Sequence, residues 1–249
     1  EELAGCNRAA IVVIARRPEQ TDCTLTDSET QMLRSVTTAF DRTILVLATP
    51  GFVELNDAAM ACPAIVWMGI AGQEAGSALA DVLTAKALPM GRLPFSWPVS
   101  RTDFDAANAQ ADQFVGYRYF DTFNVTPNYC FGYGKGYTDF ETEVRDVEAD
   151  AKNVTVTASV KNIGDAFAGK EVVQVYYSAP DGTIEKPYQE LGGFGKSDLL
   201  SPGESQTITI SFPTRSMASY DEKKAAWVLE AGTYYIRVGN SSRTTKVAA

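Results

Sequence analysis

The sequence predicts two domains, an α/β domain built on a parallel sheet and then an all-β domain built as an antiparallel sandwich. Two observations predict this order. In the first half, short runs rich in Val, Ile and Leu alternate with amphipathic stretches of helical period. In the second half, several short segments alternate apolar with polar residues, with turn signals between them and no helical stretch. The 249 residues suffice for two ordinary domains.

The strands of the first domain are predicted from three apolar runs, AAIVVIA, TILVLAT and PAIVWMG, at residues 9–15, 43–49 and 63–69. The first two runs are typical of strands that are buried on both faces of a parallel sheet. GRLPFSWP, at residues 91–98, is a candidate fourth strand. Strands that alternate with helices in this way indicate βαβ units with right-handed crossovers.

Two helices are predicted between these strands. The first covers residues 26–40, where Thr26 and Glu29 fit a capping box. Its predicted apolar stripe consists of Met32, Leu33, Val36 and Phe40. The second helix starts near Gln73. Its predicted inward residues are Ala75, Ala78, Leu79, Val82 and Leu83.

The segment from Thr102 to Asp139 is rich in aromatic residues and glycine and is predicted to be mostly loop. Two interpretations of its aromatic residues are open. They fill the seam between two domains, or they form a platform for a sugar or another ligand with an apolar face.

The all-β domain begins where the alternating pattern begins, near Glu143. The pattern predicts a sandwich of about 100 residues. We therefore place the α/β domain at residues 1–142 and the β-sandwich at residues 143–249.

Composition excludes several classes of function. The net charge of −9 makes binding to nucleic acid or anionic lipid unfavourable. No apolar run approaches the roughly 20 residues that span a bilayer, so a soluble protein is expected, in the cytoplasm or secreted. Because the chain has no histidine, it cannot form a Ser-His-Asp triad or a His-ligated metal site. We expect no metal and no cofactor.

The four cysteines lack the C-x-x-C spacing of zinc or thioredoxin-like sites. They are Cys6, Cys23, Cys62 and Cys130. Buried thiols and disulfides are both compatible with the sequence, and we favour thiols. Acid–base chemistry in this chain must therefore come from carboxylates, tyrosines, lysines or cysteines.

Several motifs closely resemble glycoside hydrolase family 3. Those of its C-terminal α/β-sandwich domain are GQEAGSALADVL, GRLPFSWP, VGYRYFD and CFGYGKGYTDFE. Those of the family's fibronectin type III-like domain are QELGGF, LSPGESQTITISF and YDEKKAAWVLEAGTYYIRVGNSSR. They follow one another in order over essentially the whole chain.

The resemblance implies a retaining, exo-acting β-glycosidase, commonly a β-glucosidase or β-xylosidase, that acts on a β-linked glycoside or oligosaccharide. In this family the nucleophilic aspartate lies in a TIM-barrel domain, which either precedes or follows the present segment. The family's α/β-sandwich has further sequence, including a strand, before the point that resembles residues 8–15. The first domain is therefore expected to be partial, and its unpaired sheet edge is expected to recruit a second copy of the chain.

The resemblance also singles out Glu19. In many family members the loop after the first matching strand is similar to S-G-E-G-x-D-R, and its glutamate is the general acid/base. Here Glu19 and Asp22 keep the E-x-x-D spacing, whereas Pro18 and Gln20 replace the glycines and Cys23 replaces the arginine. Glu19 is therefore the candidate acid/base residue, and the alternative is a solvated loop carboxylate. Asp22 is interpreted as a partner of Arg16 or Arg17, or as a charge at a helix N-terminus.

Three further positions are weaker candidates. Glu74 in AGQEAG is a second candidate acid, and the alternative is an acidic residue that completes a helix N-terminus. Arg118 either contacts substrate or pairs with Asp121, and we favour the ion pair. Tyr117 and Tyr119 either contact substrate or pack in the seam. The rival to the enzyme hypothesis is a non-catalytic module that binds carbohydrate or mediates assembly.

Overall fold

The computed structural model describes residues 9–20, 22–109 and 113–249. This part of the chain forms two compact units. The first comprises the described residues of Glu1–Ala87 together with Pro98–Phe104, and the second those of Leu88–Trp97 and Asp105–Ala249. The predicted fold class is confirmed, because a parallel sheet with helices precedes a set of antiparallel sheets.

The first unit contains a three-stranded parallel sheet in the order β1-β2-β3. Its strands are β1 (Ala10–Ala15), β2 (Thr43–Ala48) and β3 (Ala64–Trp67). Its helices are α1 (Asp27–Ala39), α2 (Asp57–Met60) and α3 (Ala75–Leu83). Helix α4 (Arg101–Asn108) follows in the chain.

Burial in this sheet is uneven. The central strand β2 is fully buried at Leu45, Val46 and Leu47. The prediction that β1 and β2 are both buried on both faces is wrong for β1, because Ile11 and Val13 are each 54% exposed. An apolar run shows that a strand can be covered on both faces, but not that it is.

Helix α1 begins with the predicted capping box. The Thr26 hydroxyl accepts a hydrogen bond from the Glu29 amide at 3.2 Å, and the Glu29 carboxylate accepts one from the Thr26 amide at 2.9 Å. Two amides that would otherwise lack helical partners are thereby satisfied. Leu33 packs inward and is fully buried, whereas Met32 of the predicted stripe is 40% exposed.

Three predictions about the first half differ from the structure. None of the residues of α3 that were predicted to face inward is fully buried: Ala75, Leu79, Val82 and Leu83 are half-buried, and Ala78 is exposed. Residues 91–98 form a single antiparallel bridge, between Trp97 and Tyr129, rather than a fourth strand. The aromatic segment contains α4 and a further short helix, α5 (Tyr117–Thr122), where mostly loop was predicted.

The second unit is built mainly from antiparallel sheets. One has three strands in the order β4-β5-β8, one has four in the order β12-β11-β6-β7, and β9 pairs with β10 in a hairpin. The strands are β4 (Phe140–Ala149), β5 (Asn153–Asn162), β6 (Val172–Ser178), β7 (Glu190–Lys196), β8 (Ser205–Pro213), β9 (Ser219–Asp221), β10 (Ala226–Val228), β11 (Tyr235–Gly239) and β12 (Lys246–Val247).

The core of this unit is made by alternate residues of its long strands. Val154, Val156, Ala158 and Val160 of β5 are all buried, so every second residue faces the core as the pattern predicted. They share one hydrophobic cluster with residues of β6, β8 and β11. The strands of both larger sheets therefore enclose a common core.

Strand β7 contains three glycines that allow the two larger sheets to approach closely. A Cβ atom at Gly192 would lie 2.7 Å from the Phe212 ring, and one at Gly195 would lie 2.7 Å from an Ile208 methyl group. Any larger residue at these positions would push β7 away from β8.

The thiols of Cys23, Cys62 and Cys130 are free. Cys6 lies outside the described residues.

Candidate active site

The candidate acids Glu19 and Glu74 follow two strands of the same parallel sheet. Glu19 lies in the loop after β1, and Glu74 lies in the loop after β3. Since β1, β2 and β3 run in the same direction, both loops leave the carboxyl edge of the sheet. In open α/β sheets this edge is where ligands bind.

Glu19 is at an exposed turn. The Gln20 amide donates to the Arg17 carbonyl at 3.0 Å, and the Gln20 side chain accepts from the Arg17 amide at 2.6 Å. The Glu19 side chain is 68% exposed, and its Oε1 lies 3.8 Å from Nη1 of Arg17, whose side chain is 80% exposed. A pair this long and this exposed contributes little stability, so the carboxylate is accessible to a partner.

The end of the Glu19 loop is folded by Asp22. Its Oδ1 accepts hydrogen bonds from the Thr24 amide at 2.9 Å and from the Thr24 hydroxyl at 2.8 Å. These bonds, first of all the one from the amide, lower the pKa of Asp22. Arg16, one of the partners predicted for Asp22, hydrogen-bonds Glu29 through both of its terminal nitrogens and acts on Asp22 by electrostatic attraction.

A second set of contacts links the loops that follow β1 and β2. The Glu54 amide donates to the Cys23 carbonyl at 2.6 Å, and the Glu54 carboxylate accepts from the Arg101 amide at 2.9 Å. Arg101 Nη1 also lies 3.6 Å from the Cys23 sulfur. These contacts could not be predicted from the sequence, because they join residues up to 78 positions apart and a local pattern covers only a few residues.

Glu74 is the residue that directly precedes the first turn of α3. It is the N-cap, but its side chain makes no capping hydrogen bond to the backbone and instead accepts from the Ser77 hydroxyl at 3.2 Å. Gly72, two residues earlier, has a φ of +75°, which a glycine adopts without strain. Glu74 is exposed. This exposure fits both interpretations, an acidic residue at a helix N-terminus and an acid that is available to substrate.

Arg118 and Tyr117 lie on α5 in the second unit. Arg118 pairs with Glu190 at 3.2 Å, so the favoured pairing with Asp121 is wrong; Asp121 pairs with Arg243 at 2.6 Å. The Tyr117 hydroxyl accepts a hydrogen bond from the Leu191 amide at 2.8 Å. Burial raises the pKa of Tyr117 to about 12, which keeps the phenol neutral.

The rings of α5 pack on neighbouring aromatic residues. Tyr117 stacks on Phe131 with centroids 4.8 Å apart, and Tyr119 contacts Phe123 at 5.1 Å and Phe120 at 5.7 Å. All of these rings belong to the second unit. Packing of Tyr117 and Tyr119 in a seam between domains stays a prediction, and so does a contact of Tyr117, Tyr119 or Arg118 with substrate.

Comparison with known proteins identifies the family. Residues 2–137 match the family model described as the glycosyl hydrolase family 3 C-terminal domain. The chain belongs to glycoside hydrolase family 3. Residues 171–242 match a second model, the fibronectin type III-like domain. The predicted boundary between residues 142 and 143 falls between the two matches and stays a prediction.

Relatives within family 3 include β-glucosidase A of Butyrivibrio fibrisolvens, 37% identical over 91% of this chain and 31% of its own length. The β-glucosidase of Kluyveromyces marxianus is 35% identical over 97% of this chain and 30% of its own length. Among solved structures, β-glucosidase 3B of Thermotoga neapolitana superposes with a TM-score of 0.88 at 38% identity. That superposition covers 98% of this chain and 37% of the Thermotoga chain.

The chain therefore spans about a third of the length of these family 3 relatives. Among its described helices, none is long and apolar enough to cross a bilayer.

Proposed function

We propose that this chain is part of a retaining, exo-acting β-glycosidase of the β-glucosidase type, in which Glu19 is the general acid/base. Its substrate is a β-linked glucoside or oligosaccharide. The nucleophilic carboxylate belongs to a TIM-barrel domain of the same protein. This chain supplies the loop that carries the acid/base and an accessory β-sandwich.

The position of Glu19 carries the proposal. Its carboxylate is at a turn on the carboxyl edge of a parallel sheet, is 68% exposed, and is 3.8 Å from the nearest cation that it pairs with. A retaining glycosidase needs two carboxyl groups about 5 to 5.5 Å apart, one of which donates a proton to the leaving oxygen. An exposed carboxylate at the tip of a loop has the reach to approach a nucleophile on a neighbouring domain.

The chemistry would proceed in two steps. In the first, the barrel nucleophile attacks the anomeric carbon while Glu19 gives its proton to the departing glycosidic oxygen. In the second, the Glu19 carboxylate takes a proton from water, which attacks the anomeric carbon and releases the sugar. Burial beside a second carboxylate favours the protonated form that the first step requires.

We also propose that the chain self-associates through β1. Within the described residues, β1 pairs only with β2, so its opposite edge has no strand partner in this part of the chain. Ile11 and Val13 add an exposed apolar face next to this edge. Open edges with apolar side chains are surfaces on which further strands add.

The test of catalysis is Glu19→Gln in the full-length protein that contains the proposed barrel. Glutamine is nearly isosteric with glutamate but holds no transferable proton. Turnover of an alkyl β-glucoside, whose leaving group needs protonation, should fall by roughly a hundredfold or more. Turnover of an activated aryl β-glucoside should fall less, and azide, a nucleophile that needs no general base, should restore it.

Two controls accompany this assay. Glu74→Gln should cause a smaller loss that is similar for alkyl and aryl substrates and does not respond to azide. The 249-residue chain alone should not hydrolyse either substrate above the buffer rate, because one carboxylate of the pair is missing. Wild-type activity of Glu19→Gln on the alkyl glucoside would overturn the role of Glu19 and favour the non-catalytic alternative for this chain.

A further inference from the structure

Arg16 closes the loop that carries Glu19. It directly follows β1, and its guanidinium donates to both carboxylate oxygens of Glu29 on α1, with Nη1–Oε1 at 2.7 Å and Nη2–Oε2 at 2.8 Å. Nη2 also donates to the Thr24 carbonyl at 3.0 Å. The two side chains are only 9% and 21% exposed. A bidentate ion pair that is mostly buried has a defined geometry, which surface ion pairs with a single contact lack.

Glu29 fixes both ends of the same loop. Through Arg16 it holds the end of β1, and through the Thr26 amide, at 2.9 Å, it holds the start of α1. The Thr24 carbonyl, which Arg16 also binds, belongs to the turn that Asp22 folds. The described part of the loop is thus anchored at its base by one guanidinium and one carboxylate.

Glu19 itself has no comparable anchor among the residues that the structure describes. Its carboxylate pairs there with Arg17 at 3.8 Å, and both side chains are mostly exposed. The direction in which Glu19 points must therefore be set by the backbone of the loop, which is held at its two ends.

The hydrogen bonds between Arg16 and Glu29 stabilise the charged form of both residues. They raise the pKa of Arg16 and lower the pKa of Glu29. Both stay charged over the working pH range of an enzyme.

We propose that Arg16 and Glu29 are positioning residues for the acid/base Glu19, an inference that rests on the function proposed above. Neither touches substrate. They hold the loop so that the Glu19 carboxylate meets the glycosidic oxygen at hydrogen-bonding distance. Displacement of a catalytic group by about 1 Å can cost roughly a hundredfold in rate, so loss of the anchor should appear mainly in proton transfer.

The test is Arg16→Lys in the full-length protein, with Glu29→Gln as the second variant. Lysine keeps the positive charge but is a single point donor that cannot bind both carboxylate oxygens. We expect kcat for an alkyl β-glucoside to fall about tenfold or more, and kcat for an activated aryl β-glucoside to fall less. Azide should raise the turnover of the aryl substrate in both variants, as it does in Glu19→Gln.

Arg34→Lys is the matched control, because Arg34 is exposed on α1, the same helix that carries Glu29. It should leave both substrates unaffected. If either variant at Arg16 or Glu29 fails to fold, the other provides the same readout.

The outcomes separate the two proposals. Loss of equal size for both substrates, with no azide response, would show a merely structural role and overturn the positioning inference. So would wild-type kinetics of Arg16→Lys and Glu29→Gln while Glu19→Gln is impaired and rescued by azide. Wild-type kinetics of Glu19→Gln on the alkyl glucoside would overturn the proposed catalytic role, and the positioning role with it.

Discussion

Glu171 and Asp121 show how buried carboxylates are held in the second unit. Their side chains are 4% and 3% exposed, and each faces a guanidinium, that of Arg92 and that of Arg243. Glu171 accepts a further hydrogen bond from the Val172 amide at 2.7 Å. Removing one member of such a buried pair leaves the other charge without compensation, which costs more stability than the intact pair contributes.

We predict that Glu171→Gln destabilises the chain by about 3 kcal/mol, because it leaves the Arg92 guanidinium buried beside a neutral amide. The measurement is urea unfolding followed by circular dichroism. Glu143→Gln is the matched control, since it breaks an exposed pair with Arg145, whose side chain is 53% exposed. The control should cost less than about 1 kcal/mol. Equal unfolding midpoints for the two variants would contradict the prediction.

Other charged residues show which contacts a sequence predicts and which it does not. The capping box of Thr26 and Glu29 was predictable, because its partners are three residues apart. The second role of Glu29, as partner of Arg16 across 13 positions, was not. Arg118 was expected to pair with Asp121, three positions away, yet it pairs with Glu190, 72 positions away. The choice among several nearby charges is made by packing, which a local pattern does not contain.

In the second unit, the Glu230 carboxylate binds two residues of the segment between β6 and β7. Glu230 accepts hydrogen bonds from the Thr183 amide at 2.9 Å and the Thr183 hydroxyl at 2.8 Å, and from the Lys186 ammonium. The Lys186 and Glu230 side chains are 6% and 14% exposed. These bonds, first of all the one from Lys186, lower the pKa of Glu230 to about 2.

We predict from this pKa that the segment loses its hydrogen bonds to Glu230 only in strong acid. A carboxylate whose pKa is depressed in the folded state contributes stability that is present above its ordinary pKa, near 4.3. That contribution falls as the pH drops from there through about 2. Carboxyl-detected NMR titration should show a midpoint near 2 for Glu230.

Lys186→Met should raise this midpoint, because it removes the strongest donor to the carboxylate. Lys223→Met, at an exposed lysine in the turn between β9 and β10, should leave it unchanged. A wild-type midpoint near the ordinary glutamate value would contradict the geometry of the Glu230 cluster.

At the scale of the whole molecule, the chain combines a net charge of −9 with a strand, β1, that pairs on one side only with β2 among the residues that the structure describes. Charge of one sign keeps copies apart at long range, and salt screens that repulsion. The exposed Ile11 and Val13 act only at contact. Association through β1 should therefore be weak at low salt and stronger at high salt.

We predict a rise in mean mass with protein concentration in light scattering, steeper in 0.5 M salt than in dilute buffer, where the Debye length is longer than about 10 Å. Val13→Lys should reduce the rise, since a charge beside an edge strand opposes strand addition. Val99→Lys is the control, because Val99 is 47% exposed and lies outside the strands. A strict monomer at millimolar concentration in high salt would contradict association through this edge.

The sequence by itself determined the order of the two domains and the kind of their long, periodic elements. The period of the apolar residues separates the strands β1 and β2 from helix α1, and the strict alternation in β5 predicts which of its residues are buried. These signals act over a few residues, within one turn of helix or one step along a strand. The absence of histidine likewise excluded whole classes of site without any structure.

Only the tertiary structure decided which faces are covered and which charges meet. The apolar runs of β1 and β2 look alike, yet β2 is buried on both faces and β1 on one. The difference arises because the residues that pack over a strand come from elements distant in the chain. The anchoring of the Glu19 loop by Arg16 and Glu29 has the same origin. Each contact depends on how separate elements pack, and their packing depends on the whole set of buried side chains rather than on any single stretch.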